Sequence, residues 1–144
     1  MQFSQEHNNS AYVIKACTDD FIRIICPVTP EMVAEAENEP DKINELRHVN
    51  IDQSLIISVE EIKTPWPPTS VNELTQEHIE MILGFNPEVV IIGTGKTLTW
   101  PQVQILQPLI DRHIGYEVMT TMAACRTYNV LMHEDRRVAA ALMI

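Results

Sequence analysis

The chain has 144 residues, of which 45% are hydrophobic and 21% are charged, and its formal net charge at pH 7 is −10. This length and composition are typical of one globular domain with a single core, and we expect residues 1–144 to form it. The negative charge repels nucleic acids, and no apolar run approaches the ~18 residues of a membrane-spanning helix, so we expect neither nucleic-acid binding nor stable membrane insertion.

The N-terminus and the cysteines indicate a cytoplasmic protein. Residues 1–10 contain neither a basic cluster nor an apolar stretch, so they are interpreted as a flexible tail and not as a secretion signal. The chain has an odd number of cysteines, and no two of them have CxxC spacing, which argues against a disulfide framework and a zinc site. They are Cys17, Cys26 and Cys125. We expect no metal and no cofactor.

The first third of the chain predicts a hairpin followed by a helix. Residues 11–16 and 20–26 are two short runs of β-branched and aromatic residues, separated by turn-forming residues. Thr29 is a suitable N-cap for a helix over residues 30–38, which a proline opens and Pro40 ends.

The middle of the chain predicts a second strand pair and a loop. Residues 46–51 and 54–62 are rich in valine and isoleucine, which predicts a second hairpin or a tightly linked pair of strands. Three prolines surround Trp66 in residues 64–68, and this segment is a loop because proline lacks the amide donor that a strand ladder needs. An apolar patch around the Trp66 indole would suit a protein partner.

The second half of the chain alternates strands and helices. Apolar spacing predicts helices over residues 75–83 and 123–132, a helix opened by Pro101 and bent by Pro108, and strands over 89–92, 116–119 and 138–144. Gly84-Phe85 before Pro87 predicts a left-handed C-terminal cap for the first of these helices. This alternation implies an α/β fold, in which helices cover a sheet of parallel strands joined by right-handed crossovers.

A Gly-Thr-Gly-Lys-Thr segment at residues 93–97 follows the strand over 89–92 and resembles a phosphate-binding loop. A P-loop would need glycine at Val90, and a dinucleotide fingerprint would need a small residue at Leu98. We therefore expect a structural turn whose Lys96 does not bind a nucleotide phosphate. The alternative is a small anion held by the backbone amides of the turn.

The second candidate region is the strand-to-helix junction over residues 119–129. Cys125 lies near the helix start, where the helix dipole lowers the pKa of an exposed thiol, but buried cysteine is the commoner fate and no catalytic residue is assigned. We expect Arg126 to face the groove beside the glycine turn and bind a carboxylate or phosphate, or to form an internal salt bridge. Tyr128 and Asn129 are interpreted as partners of buried backbone groups.

A family resemblance is carried by residues of the C-terminal part of the chain. They are Gly93-Thr94-Gly95, Glu117-Val118-Met119, Ala-Cys-Arg-Thr-Tyr-Asn-Val-Leu at 124–131, Glu134, Arg136 and Val138–Leu142. On these residues the chain resembles the family of mitochondrial complex I assembly factor three and its uncharacterised bacterial and archaeal relatives. The resemblance implies a three-layer α/β fold with a mixed sheet and no settled enzymatic activity. Together with the sequence pattern, it gives the expected fold class: a mixed, mostly parallel sheet covered by helices, with an N-terminal β-hairpin.

Three positions depart from that family pattern. His113 and Asp135 stand where relatives carry glycine, and both residue types tolerate left-handed geometry, so the turns are expected to persist. Thr120 replaces an aspartate, which weakens any acid-base mechanism at that junction.

These features predict a binding or assembly module that handles another protein, as the resemblance implies, with no oligomeric state assigned. The alternative is an enzyme or a small-molecule or anion-binding protein with its site at the carboxyl edge of the sheet. The candidate binding residues are Gly93, Thr94, Gly95, Thr120, Thr121, Cys125, Arg126 and Trp66.

Overall fold

The computed structural model describes residues 10–144. Eight strands lie in this part of the chain: β1 Val13–Cys17, β2 Ile22–Ile25, β3 His48–Ile51, β4 Leu55–Ser58, β5 Ile62–Lys63, β6 Val89–Gly93, β7 Gly115–Met119 and β8 Val138–Leu142. The helices are α1 Pro30–Glu35, α2 Pro40–Arg47, α3 Gln76–Leu83, α4 Gln107–Asp111 and α5 Thr121–His133, with a 3-10 turn at Val71–Glu73. Apart from Ser10, the tail expected at residues 1–10 lies outside the described residues.

The strands form two sheets. The first has the order β1-β2-β3 and is antiparallel, and the second has the order β5-β4-β8-β6-β7. In the second sheet β8, β6 and β7 are parallel, whereas β4 and β5 are antiparallel to their neighbours. The predicted fold class is confirmed: a mixed, mostly parallel sheet covered by helices, with an N-terminal hairpin.

The five-stranded sheet separates two hydrophobic cores. On one face, Ile91 of β6 and Ala140 of β8 pack with α5 and the three-stranded sheet. On the other face, Ile92 and Ala141 pack with α3, α4 and the loop that carries Trp66. The molecule therefore has three layers, and every residue of β8 is buried because the strand has neighbours on both sides and both faces.

The N-terminal hairpin is anchored to α5 by side chains of that helix. Asn129 accepts a hydrogen bond from the Ile14 amide at 3.0 Å and donates one to the Ile14 carbonyl at 2.7 Å. The Tyr128 hydroxyl donates to the carbonyl of Tyr12 at 2.7 Å. The interpretation of Tyr128 and Asn129 as partners of backbone groups is confirmed, since they satisfy the edge of β1 that faces away from β2.

The predicted second hairpin is wrong. Residues 40–47 form α2, because Pro40 occupies a first-turn position where its missing amide is not needed, so this proline starts a helix after α1 has ended. The strand that follows, β3, pairs with β2, whereas β4 pairs with β5 and β8. The two strands predicted to pair therefore lie in different sheets.

Two other local predictions are corrected. Residues 103–106 form turns, and the helix begins only at Gln107, so Pro108 lies in its first turn and does not bend it. Gly84 is right-handed, with φ of −60°, and the left-handed residue of that turn is Asn86, with φ of 52°. The expected left-handed geometry at His113 and Asp135 is confirmed by φ values of 56° and 61°.

No helix within residues 10–144 combines the length and the apolar character that crossing a membrane requires.

Candidate functional site

The carboxyl ends of β6, β7 and β8 meet at one edge of the sheet, where Thr121 connects them. Its hydroxyl accepts a hydrogen bond from the Gly95 amide at 2.8 Å and donates to the carbonyl of Met143 at 2.7 Å. Its amide donates to the carbonyl of Gly95 at 3.0 Å. The loops after all three strands are therefore fixed by one residue at the start of α5.

The Gly93-Thr94-Gly95 turn packs closely against the start of α5. A Cβ on Gly93 would lie 2.9 Å from the Thr121 Cα, so the onset of α5 is in contact with this glycine. Gly95 has a φ of 93°, which only glycine adopts readily. The Thr94 amide donates to the carbonyl of Met119 at 2.9 Å, and the Gly95 amide is bound by Thr121, so both amides are engaged within the protein.

We expect Gly93→Ala to destabilise the protein by about 1–3 kcal/mol, because the added methyl group overlaps the backbone of Thr121 and the side chain of Leu142. Gly115→Ala is the matched control, since nothing lies within 4 Å of the added Cβ and its φ is not positive. Chemical denaturation measures both effects. Equal stability of the two variants would contradict the close packing assigned to Gly93.

A cleft of about 330 Å³ lies beside this turn. It is lined by Cys17, Thr18, Asp19, Gly95, Lys96, Thr120, Thr121, Met122, Met143 and Ile144. The basic group in this cleft is Lys96, whose ammonium lies 3.8 Å from the carboxylate of Asp19, with both side chains mostly exposed. Within residues 10–144 no group of three or more His, Cys, Asp and Glu side chains is placed to hold a metal ion.

Two predicted site residues of α5 do not line this cleft. Arg126 is exposed, whereas the buried face of α5 carries Ala124 and Cys125, so the predicted placement of Arg126 in the groove beside the glycine turn is wrong. The Cys125 side chain is 3% exposed. Burial, followed by interaction with the Cys17 thiol, raises the pKa of Cys125, so its thiol is protonated at neutral pH.

Trp66 lies on the opposite face of the sheet and is 1% exposed. Its indole Nε1 donates to the carbonyl of His78 at 3.2 Å, and its ring packs in the core with Ile56 and Ile79. The hypothesis of a partner-binding apolar patch formed by this ring is therefore wrong, because Trp66 has almost no solvent-accessible surface.

A different tryptophan is exposed, and the sequence reasoning missed it. The Trp100 side chain is 64% exposed, and its neighbours Leu98 and Val103 are 48% and 62% exposed. These three side chains form what we call the Trp100 patch. The loop is held by Thr94, whose hydroxyl donates to the carbonyl of Thr97 at 2.7 Å and accepts from the Thr99 amide at 3.2 Å. The sequence signal that could have identified this exposed ring was an aromatic residue in a segment that has the periodicity of neither a strand nor a helix.

A second cleft, of about 450 Å³, lies at the other end of β8 and contains none of the predicted site residues. Its Arg136 and Arg137 are both bound by Glu88, which accepts from the Arg137 amide at 2.8 Å and from the Arg136 guanidinium at 3.3 Å. The hydrogen bond from the Arg137 amide is the main reason why the pKa of Glu88 is lowered. The Arg136 guanidinium is paired with Glu88, and the Arg137 guanidinium donates to the carbonyl of Asn86 at 3.4 Å, so the carboxyl edge remains the better candidate site.

Comparison with known proteins identifies relatives whose names bear on function. The 13 kDa major membrane protein of Francisella tularensis subsp. holarctica is 30% identical over 73 residues, which are 51% of this chain and 59% of that protein. NADH dehydrogenase (ubiquinone) 1 alpha subcomplex assembly factor 3 of Homo sapiens is 36% identical over 80 residues, 54% of this chain and 44% of that protein. The match thus spans about half the length of these relatives.

Solved structures show the same fold. An NMR structure of a protein from Xanthomonas campestris has a TM-score of 0.70 and 30% identity, covering 100% of this chain and 92% of that one. An outer membrane protein from Bartonella henselae has a TM-score of 0.68 and 27% identity, with 94% and 96% covered. A Mth938-like domain from Bordetella pertussis has a TM-score of 0.67 at 22% identity, with 92% and 85% covered.

The model of one protein family, described as a protein of unknown function (DUF498/DUF598), matches residues 38–143. That range contains the five-stranded sheet, all of α5 and both the glycine turn and the Trp100 patch. The chain belongs to the DUF498/DUF598 family.

Proposed function

We propose that this protein is an assembly factor that binds another protein in the cytoplasm and assists the assembly of a respiratory or other membrane-associated complex. Relatives that carry the name of a NADH dehydrogenase assembly factor support the proposal. The observation that carries it is the exposed Trp100 patch at the carboxyl side of the sheet.

The Trp100 patch has the properties of a binding surface. Six large hydrophobic side chains are exposed in residues 10–144, and three of them lie within residues 98–103. Tryptophan is enriched among the residues that dominate binding energy, because its large ring loses little conformational entropy when it is buried. The hydrogen bonds of Thr94 limit the backbone freedom that binding would otherwise remove.

The partner that we propose is a folded protein subunit with an apolar pocket for the Trp100 ring and basic residues around that pocket. The net charge of −10 favours a basic partner, because opposite charges speed the encounter of the two proteins and disfavour acidic competitors. Association should therefore slow as the salt concentration rises.

We expect Trp100→Ser to weaken binding of the purified partner subunit by ~30-fold or more, since loss of a central ring costs about 2 kcal/mol. Affinity capture from the native cell with mass spectrometry supplies candidate subunits, and titration calorimetry then measures the affinity. The melting temperature should not change, because the ring is exposed. Val130→Ser is the control, as Val130 is 56% exposed on α5.

Tryptophan fluorescence provides a second measurement of the same contact. Trp66 is 1% exposed and Trp100 is 64% exposed, so acrylamide quenches mainly Trp100 in the free protein. Bound partner should protect Trp100 from the quencher. Unchanged quenching, or equal affinities of wild type and Trp100→Ser, would contradict the proposed surface.

The alternative is an anion or small-molecule site in the cleft beside Lys96. The cleft volume of about 330 Å³ and the presence of Lys96 favour it, whereas the engaged amides of Thr94 and Gly95 count against it. Inorganic phosphate and ATP are suitable probes. A rise in melting temperature with either one, absent in Lys96→Ala, would favour this alternative over partner binding.

A further inference from the structure

Strand β1 lies along α5 in the opposite direction, as the residues near its two ends show. At one end, the Tyr128 hydroxyl donates to the Tyr12 carbonyl at 2.7 Å. At the other end, Cys17 and Thr121 line the same cleft. The strand β1 and the helix α5 are therefore antiparallel to each other.

Cys125 lies between these two contacts. It follows Thr121 by four residues and precedes Tyr128 by three, so all three side chains lie on the same face of α5, and all three are buried. Cys17 packs against the core cluster that contains Cys125, and it lines the same cleft as Thr121, which lies one helical turn before Cys125. Interaction with Cys17 is also one of the causes that raise the pKa of Cys125. The two sulfur atoms are thus neighbours, although their residues are far apart in the sequence.

The two thiols differ in their access to solvent. Cys17 is half-buried and lines the cleft of about 330 Å³, which a small oxidant can enter. Cys125 is 3% exposed and does not line this cleft. The third cysteine, Cys26, follows the end of β2 that pairs with Val13, which is the end of β1 remote from Cys17.

We propose that Cys17 and Cys125 form an oxidation site, in which a peroxide converts the two thiols into a disulfide that joins β1 to α5. The accessible Cys17 reacts first and the buried Cys125 resolves the product. The proposal is independent of the partner that the Trp100 patch binds.

The reaction has two balanced steps. The Cys17 sulfur attacks one oxygen of hydrogen peroxide, the O–O bond breaks, a sulfenic acid forms, and the departing hydroxide takes the thiol proton as water. The Cys125 sulfur then attacks the sulfenic sulfur, the S–S bond forms, the S–O bond breaks, and hydroxide leaves with the Cys125 proton as a second water. Two thiols are oxidised by two electrons and the peroxide is reduced to two waters.

The second step should depend on pH. Burial raises the pKa of Cys125, and the thiolate is the attacking species, so disulfide formation should accelerate as the pH rises from neutral to mildly alkaline. A dithiol reductant should reduce the disulfide back to two thiols by thiol–disulfide exchange.

The test exposes the folded full-length protein to hydrogen peroxide, removes the peroxide with catalase, and then alkylates the denatured chain for mass spectrometry. Of the three free thiols, one should remain for alkylation, and it should be Cys26. A peptide pair joining Cys17 to Cys125 should appear, lighter by two hydrogen atoms, and dithiothreitol should remove it.

Three variants make the result decisive. Cys26→Ser should form the same disulfide, and Cys17→Ser should leave Cys125 reduced because it is shielded. In Cys125→Ala, the Cys17 sulfenic acid should persist and react with dimedone. The proposal is overturned if Cys26 joins the disulfide, or if Cys17 proceeds to sulfinic acid in the wild type while Cys125 stays free. Circular dichroism of each variant confirms that the chain remains folded.

Discussion

A stop codon after Arg137 should abolish the folded state. It removes β8, which pairs with β4 on one side and β6 on the other. Burial of Val138, Leu142 and Met143 alone contributes roughly 4–9 kcal/mol, and a domain of this size is stable by only ~5–15 kcal/mol in total. The truncated chain should show no cooperative melting transition by circular dichroism.

A point variant tests the same strand without shortening the chain. Ala140→Asp places a carboxylate in the middle of β8, where the side chain is 0% exposed and belongs to a cluster of hydrophobic residues. Ala34→Asp, on the exposed surface of α1, is the matched control and should melt as the wild type does. A truncated protein, or an Ala140→Asp protein, that melts normally would show that β8 is dispensable.

Thr121→Val should lower the free energy of unfolding by roughly 2–6 kcal/mol. Valine has nearly the shape of threonine, so the change removes the hydroxyl and leaves the Gly95 amide and the Met143 carbonyl without their partner. An unsatisfied buried polar group costs about 1–3 kcal/mol, and here there are two. Urea denaturation measures the loss.

Thr127→Val is the control for this substitution on the same helix. The Thr127 hydroxyl contacts only the sulfur of Met119, at 3.3 Å, and sulfur is a weak acceptor. Its replacement should change stability by less than about 1 kcal/mol. If the Thr121 and Thr127 variants were equally stable, the hydroxyl of Thr121 would not be what connects the three loops.

The second half of the fold was predictable because its signals are local. Apolar runs at 89–92 and 138–144 and the helical spacing between them identify β6, β8 and α5 without reference to the rest of the chain. The partners of β3 and β4 were not predictable, because both strands have similar valine and isoleucine content. Their separation into two sheets depends on contacts with β2 and β8, which are distant in sequence.

The candidate site was predicted in part. The glycine turn and Thr121 were expected together, since parallel strands bring their carboxyl ends to one edge. Arg126 was misplaced, although the apolar spacing of α5 already puts Ala124 and Cys125 on the buried face and the following residue outside it.

The two tryptophans show why burial in loops is harder to predict. Trp66 is covered by α3, to which its indole donates, and Trp100 has no such cover among residues 10–144. Both occur beside prolines in segments without periodicity, so the sequence around them does not distinguish a core side chain from a surface one. That difference is decided by which segment packs over the ring.

The position of β8 in the sheet also has a consequence for biosynthesis. A ribosome makes β4, β5, β6 and β7 before it makes β8, so the nascent chain exposes the unpaired edges of β4 and β6 until residues 138–142 have emerged. Exposed strand edges rich in isoleucine are prone to pair with other chains. The five-stranded sheet therefore closes only after β8 has been made, and a translational pause shortly before Val138 would extend the period in which chaperones must protect the chain.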